Sequence, residues 1–475
     1  MAQVAGVVAT MSVAGAGFAS AQETPPEMGA AGHWAGTLSV PGAELRLVFH
    51  IERDEDSVLS GTLDSPDQGA YGLRLSTVTE EAGAVVFAIA SLGGRYTGQL
   101  SADSRTIDGQ WAQGGGSFPL DLERGDASAL ALKRPQEPQP PYPYEVMDVG
   151  FENPQAGIRL AGTLTVPPGD GPHPSVALIS GSGPQDRDES VFGHRPFFVL
   201  ADYLTRRGIA VLRYDDRGIG ESSGDFSIAT TPDFAGDALA AVAWLKSHPR
   251  VDPGRIGLVG HSEGAMVAPM VANLSGDVAF VVLLAGTGVN GRDLLVMQAK
   301  AINRASGLSE ALVEQNSALQ QQILDVVVTA GNDTEAAEQA RAILAQAGLT
   351  GPPADAQVRA LLSPWMKYFL VYDPLPALRE LSIPVLALNG EKDTQVPPTE
   401  NLLPTAEALQ EGGNPDVTAE VLPGLNHLFQ TAATGAPSEY AGIEETFSPE
   451  ALAKIADWIA ERTGPLSPVC PSCGP

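Results

Sequence analysis

Cysteine is nearly absent from this chain: Cys470 and Cys473 are the only two among 475 residues. Both stand in a Pro/Ser/Gly tail (466–475), without the strand and helix that surround a working C-x-x-C redox pair. Two thiols also fall short of the four ligands of structural zinc, so no metal site is expected. Basic residues are scarce, 28 against 57 acidic ones, for a net charge of −29. Such a surface repels phosphate backbones and anionic membranes, which argues against nucleic acid as a partner. Bulky apolar runs are missing as well, so no stable membrane insertion is expected. The uncharged stretch 1–21 is small and apolar and ends in Ala19-Ser20-Ala21. It lacks a positive n-region, yet its A-x-A pattern reads as a signal peptide and predicts a periplasmic or secreted protein.

Apolar residues make up 43% and charged residues 18%, enough for large cores, and the length suggests two or three domains. From Trp34 to Arg124, apolar and polar residues alternate with period two in about eight short runs broken by Gly, Asp and Ser. This predicts a small all-β barrel or sandwich over 30–126. Residues 127–144 are Pro-rich and read as a stiff linker.

Beyond it, over 145–465, strands (158–166, 174–179, 209–213, 256–259, 280–285) alternate with helices (197–207, 234–247, 263–274). That alternation predicts an α/β fold, a mostly parallel sheet with helices on both faces. Between about 290 and 380 the pattern becomes helical throughout, then a strand (384–388), another (417–421) and a closing helix (449–462) follow. A helical insert between two strands of such a sheet is expected as a lid over the strands' C-terminal edge, where active sites of these sheets lie.

Gly260-His261-Ser262-Glu263-Gly264 joins a strand to an apolar helix. A serine hydroxyl attacks acyl carbons only if it projects sharply, and a tight turn with small residues at −2 and +2 allows that. Ser262 is therefore the expected nucleophile. Only one histidine, His427, follows the motif, which makes it the expected base, while His261 is expected to pack locally. In Asn389-Gly-Glu-Lys-Asp393, Asp393 is the expected acid, fixing the imidazole tautomer; Glu391 is expected to be exposed or to anchor the loop. The oxyanion hole is assigned to the N–H of Glu263 and that of Ser182, with Gly181 the alternative to Ser182. Asp216 and Arg217 are expected to form a structural ion pair.

These segments, with Gly181 to Glu189, Arg213 to Ser222, Pro364 to Leu370 and Gly424 to His427, resemble a bacterial α/β-hydrolase of the serine-aminopeptidase-like and carboxylesterase branch. The β region is similar to an accessory domain that precedes such enzymes. The resemblance covers about two thirds of the chain and implies hydrolysis through an acyl-enzyme on the triad Ser262, Asp393 and His427, with no cofactor. The expected substrate is a small-molecule ester. The alternatives are a short peptide, cleaved by an exopeptidase whose lid carboxylates Glu310 or Glu314 hold the amino group, and a ligand-binding protein with an inert hydrolase unit.

Overall fold

The computed structural model describes residues 29–464 apart from 41–42, 55–56, 67–69 and 126–132. The signal-like segment, the first part of the linker and the cysteine tail lie outside the described residues.

Ten antiparallel strands build the first unit: β1 (Gly32–Val40), β2 (Ala43–Arg53), β3 (Leu59–Ser65), β4 (Ala70–Arg74), β5 (Thr77–Glu81), β6 (Ala84–Ile89), β7 (Gly94–Leu100), β8 (Thr106–Gln113), β9 (Gly116–Pro119) and β10 (Leu122–Arg124). The sheet runs β4-β3-β2-β1-β10-β8-β7-β6-β5, with β9 on β8. Alternation sends every second side chain inward, as Val85, Phe87 and Ile89 do on β6. The half-barrel closes on Trp34, Phe49, Phe87, Tyr96 and Trp111, and the Tyr96 hydroxyl donates to the Ile107 carbonyl at 2.9 Å. The large aromatics are thus consumed by this unit's own core.

The second sheet contains β11 (Glu145–Asn153), β12 (Ile158–Val166), β13 (His173–Ile179), β14 (Ala210–Tyr214), β15 (Val251–His261), β16 (Phe280–Leu284), β17 (Val385–Gly390) and β18 (Val417–Leu422). Its order is β11-β12-β14-β13-β15-β16-β17-β18. Only β12 runs against the others. Helices α1 (Pro196–Arg206), α2 (Thr231–Ser247) and α3 (Gly264–Leu274) follow β13, β14 and β15 in turn. Between β16 and β17 the chain inserts α4 (Gly291–Ala305), α5 (Glu310–Thr329), α6 (Asp333–Gln346), α7 (Pro352–Leu361), α8 (Pro364–Val371) and the short α9 (Leu375–Arg379); α10 (Pro398–Glu411) and α11 (Pro449–Thr463) complete the fold. This is the α/β-hydrolase arrangement.

The central strands read as continuous apolar runs because both faces are covered. Val281, Leu283 and Ala387 face α2, α3 and α10, while Val282, Leu284 and Leu386 face α1 and α11. The insert has a core of its own around Ile323, Leu324, Leu344 and Val358. A sheet rigid on both faces is what fixes the loops at its C-terminal edge.

The described end of the Pro-rich segment lies on the second unit. The Arg134 guanidinium donates to the carbonyls of Phe192, Gly193, Ala441 and Ile443. Gln136 exchanges hydrogen bonds with the backbone of Thr446 and Phe447, and the Tyr144 hydroxyl donates to Asp202 at 2.7 Å. Proline stiffness and these bonds together make this stretch a strap.

Candidate active site

β15 delivers Ser262 to the C-terminal edge of the sheet. Ser262 has φ of 55°, a left-handed conformation that costs a non-glycine residue about 1–3 kcal/mol. Its N–H donates to the Leu284 carbonyl at 2.8 Å, and its carbonyl accepts from Ala265 at 3.0 Å. The flanking glycines have steric reasons. A Cβ on Gly260 lies 2.0 Å from the Gly264 carbonyl oxygen, and one on Gly264 lies 2.1 Å from that of Ile179. The turn thus tolerates no side chain at −2 or +2.

His427 is carried by the loop after β18, which Asn426 shapes by accepting from the N–H groups of Leu428 and Gln430. Its Nδ1 lies 2.8 Å from Asp393 Oδ2, and both side chains are buried. Asp393 Oδ1 accepts the N–H groups of Gln395 and Val396, each at 2.8 Å; Asn389 Nδ2 approaches Oδ2 at 3.4 Å. An ionised carboxylate only accepts, so Nδ1 is the donor at this contact. Glu391 is exposed and accepts the Gly424 N–H at 2.8 Å, tying down the loop that bears His427.

Over Ser262 folds the turn after β13. Gly181 approaches so closely that a Cβ there lies 3.2 Å from Ser262 Cβ. The Gly181 N–H is occupied by Glu189 Oε1 at 2.6 Å. The next residue, Ser182, is exposed.

Two contacts differ from the sequence expectations. Arg217 does not pair with Asp216: consecutive residues leaving a strand point apart, and Arg217 instead reaches α2, where Asp237 accepts at 2.7 Å and Asp233 at 3.2 Å. Asp216 accepts from the Ser180 hydroxyl and the Gln185 N–H. His261 is more than local packing: it bonds Glu189 and the His427 carbonyl. Burial alone lowers its pKa, but the Glu189 carboxylate outweighs that and raises it. The role of Glu189 was missed in the sequence, since 72 positions separate the partners.

Glu263 turns its carboxylate inward, to the Thr231 hydroxyl at 2.6 Å and to Trp365 Nε1 of α8 at 2.7 Å. Burial raises its pKa, and these two donors counteract part of the rise. Burial also pushes Asp216 well above the usual carboxylate range, against the hydrogen bonds it accepts. Both line a cavity with Ser180, Gly181 and Asp237. An apolar group lies beside the turn on the insert's side: Met266, Leu294, Phe369 and Val396, with Trp365 and Tyr372 against it. Glu310 and Glu314 are spent in exposed pairs with Arg304 and Lys300. Among the described residues no three His, Cys, Asp or Glu side chains group as a metal site, and no helix is long and apolar enough to cross a membrane.

The chain is similar to known hydrolases. Esterase EstD of Thermotoga maritima is 29% identical over 338 residues, 68% of this chain and 74% of that protein. Esterase FrsA of an Enterobacter species is 30% identical over 148 residues, 31% of this chain and 33% of that one. Among solved structures, the Pyrococcus furiosus esterase Pf2001 is 18% identical with a TM-score of 0.41, covering 68% of this chain and 94% of that one. The family profile of the X-Pro dipeptidyl-peptidases (S15 family) matches residues 156–420, more than half the sequence. The chain therefore belongs to the S15 family and is a serine hydrolase of the esterase or peptidase kind.

Proposed function

We propose that the protein hydrolyses carboxylic esters through an acyl-enzyme on Ser262. The observations that support this reading are Ser262 held at φ 55° on a strand-to-helix turn and His427 Nδ1 lying 2.8 Å from Asp393. His427 Nε2 takes the hydroxyl proton as Oγ attacks the ester carbonyl, then gives it to the departing alkoxide. Water, deprotonated by the same nitrogen, displaces the acyl group and restores Ser262. The oxyanion is held by the N–H groups of Glu263 and Ser182; the capture of the Gly181 N–H by Glu189 favours Ser182 over Gly181. The apolar group around Met266 and Phe369 suits a short acyl chain, and EstD supports ester over amide. The S15 match keeps peptide cleavage as the second reading. We place the protein in the periplasm or outside the cell on the strength of the signal-like segment.

The test is a fluorophosphonate probe followed by peptide mapping. It should label Ser262, and Ser262→Ala should lose labelling and about 10⁶ in kcat while staying folded. Nitrophenyl esters run beside aminoacyl and X-Pro nitroanilides decide the substrate class. Labelling at another serine refutes the nucleophile, and faster anilide turnover refutes the ester preference.

A further inference from the structure

We propose that Glu189 and His261 are a positioning pair for the reaction, clamping the turn that carries Ser182 to the loop that carries His427; the inference rests on the triad reading above. The two residues form one unbroken chain of hydrogen bonds behind Ser262. Glu189 Oε1 accepts the Gly181 N–H at 2.6 Å and meets His261 Nδ1 at 2.9 Å. His261 Nε2 meets the His427 carbonyl oxygen at 3.0 Å. One end of the chain is the residue before Ser182, and the other is the base itself.

The protonation of the pair follows from its partners. A backbone carbonyl cannot donate, so His261 Nε2 carries a proton. Glu189 Oε1 already accepts one N–H, and a second donor from Nδ1 completes its shell. His261 is then an imidazolium and Glu189 a carboxylate, the direction in which the His261 pKa is moved. Both side chains are buried, and Glu189 holds φ of 52°. A buried ion pair is a poor way to gain stability compared with an apolar pair, and a left-handed glutamate adds a further cost. Both costs fall where the turn after β13 is tied to the residue proposed as the base. The His261 ring also stands 4.8 Å from the His427 ring, which limits where the base can tilt.

A clamp of this kind acts on the transition state and leaves substrate affinity alone. Glu189→Gln keeps the size and an acceptor for Gly181 while removing the charge; His261→Gln breaks the chain at its centre. With p-nitrophenyl acetate as the probe substrate, each variant should lose about 10²-fold in kcat, the scale of a misplaced reacting group. KM should stay within about threefold, and the thermal midpoint should remain above the assay temperature. Members of one device do not add, so the double variant should be no slower than the poorer single variant. A folded Glu189→Gln protein with kcat within about twofold of wild type overturns the proposal, as do losses that multiply in the double variant. Should Glu189→Gln not fold, His261→Gln decides by the same limits. Proton NMR of the wild type supplies an independent reading: two ring N–H signals from His261 at neutral pH support the charged pair, and one refutes it. Failure of the fluorophosphonate probe to label wild-type Ser262 strikes the triad reading instead, whereas labelled wild type with unaffected variants strikes only the clamp.

Discussion

Replacing Asp393 by asparagine tests the site at the point where its geometry leaves least freedom. The two carboxylate oxygens have distinct partners. Oδ1 accepts the backbone N–H groups of Gln395 and Val396, while Oδ2 faces His427 Nδ1 and Asn389 Nδ2. An asparagine amide must put its oxygen on one side and its NH2 on the other. Turning the NH2 toward the two backbone donors sets donor against donor twice and leaves buried N–H groups unsatisfied, at about 1–3 kcal/mol each. The NH2 therefore faces His427. There it can only donate, so Nδ1 must accept and the proton moves to Nε2. The base is then blocked at the atom that should receive the Ser262 proton. Loss of the imidazolium's carboxylate partner adds to the damage, and the expected fall in kcat is about 10⁴. Folding should survive, because the backbone pair on Oδ1 is retained. Steady-state kinetics on a nitrophenyl ester, with nitrogen-15 NMR of the His427 ring, measures both halves of the argument. Glu391→Gln, which removes only the charge from an exposed contact to Gly424, should cost less than about tenfold. A fall below tenfold for Asp393→Asn, an unchanged His427 tautomer, or a larger loss for Glu391→Gln refutes the reasoning.

Three further outcomes follow from other contacts. Trp365→Phe keeps the stack on Phe369, with centroids 5.0 Å apart, but removes one of the two donors to Glu263; it should release α8 by about 1–3 kcal/mol, seen as faster amide exchange in 364–371, and unchanged exchange would show that this bond does not hold α8. Burial, with the nearby Arg134 charge, lowers the His194 pKa to about 4. The unfolded chain therefore binds a proton below about pH 6.5 that the folded chain refuses, so stability should fall between about pH 6.5 and 4, by on the order of 3 kcal/mol in all. Urea midpoints should show that slope in wild type and a shallower one in His194→Gln; equal slopes would refute it. A chain beginning at Lys133 should keep kcat on a small ester within about tenfold, since the half-barrel's aromatics fill its own core, whereas one beginning at Pro143 loses the Arg134 and Gln136 strap and should melt earlier. Inactivity of the folded longer form would assign the half-barrel a part in the site.

The reach of sequence reasoning here follows the range of the interactions. The turn at Ser262 was readable because its demands are local: five consecutive residues encode it, and the glycines at 260 and 264 answer to clashes within it or against the adjacent strand end. The apolar runs of β13, β15 and β16 declared themselves because both faces are buried. The edge strand β11 did not, since only two of its nine residues are buried and the alternation is diluted. Strands β9 and β10, of four and three residues, are too short to show a period. Charged partners were the hardest to infer. Adjacency suggested Asp216 for Arg217, but backbone direction at a strand end sends neighbours apart, and the true acceptor sits 20 residues on, in α2.

The proposed oxyanion donor shows the same limit more sharply. Gly181 and Ser182 are equivalent as sequence, each a backbone N–H in a glycine-rich turn. What separates them is a carboxylate eight residues later that occupies the Gly181 N–H, and that carboxylate is in turn held by a histidine 72 positions away. A motif states which residue types a turn requires. Which of its amides remains available for chemistry depends on the remote groups that saturate the others, and those are chosen by the tertiary fold.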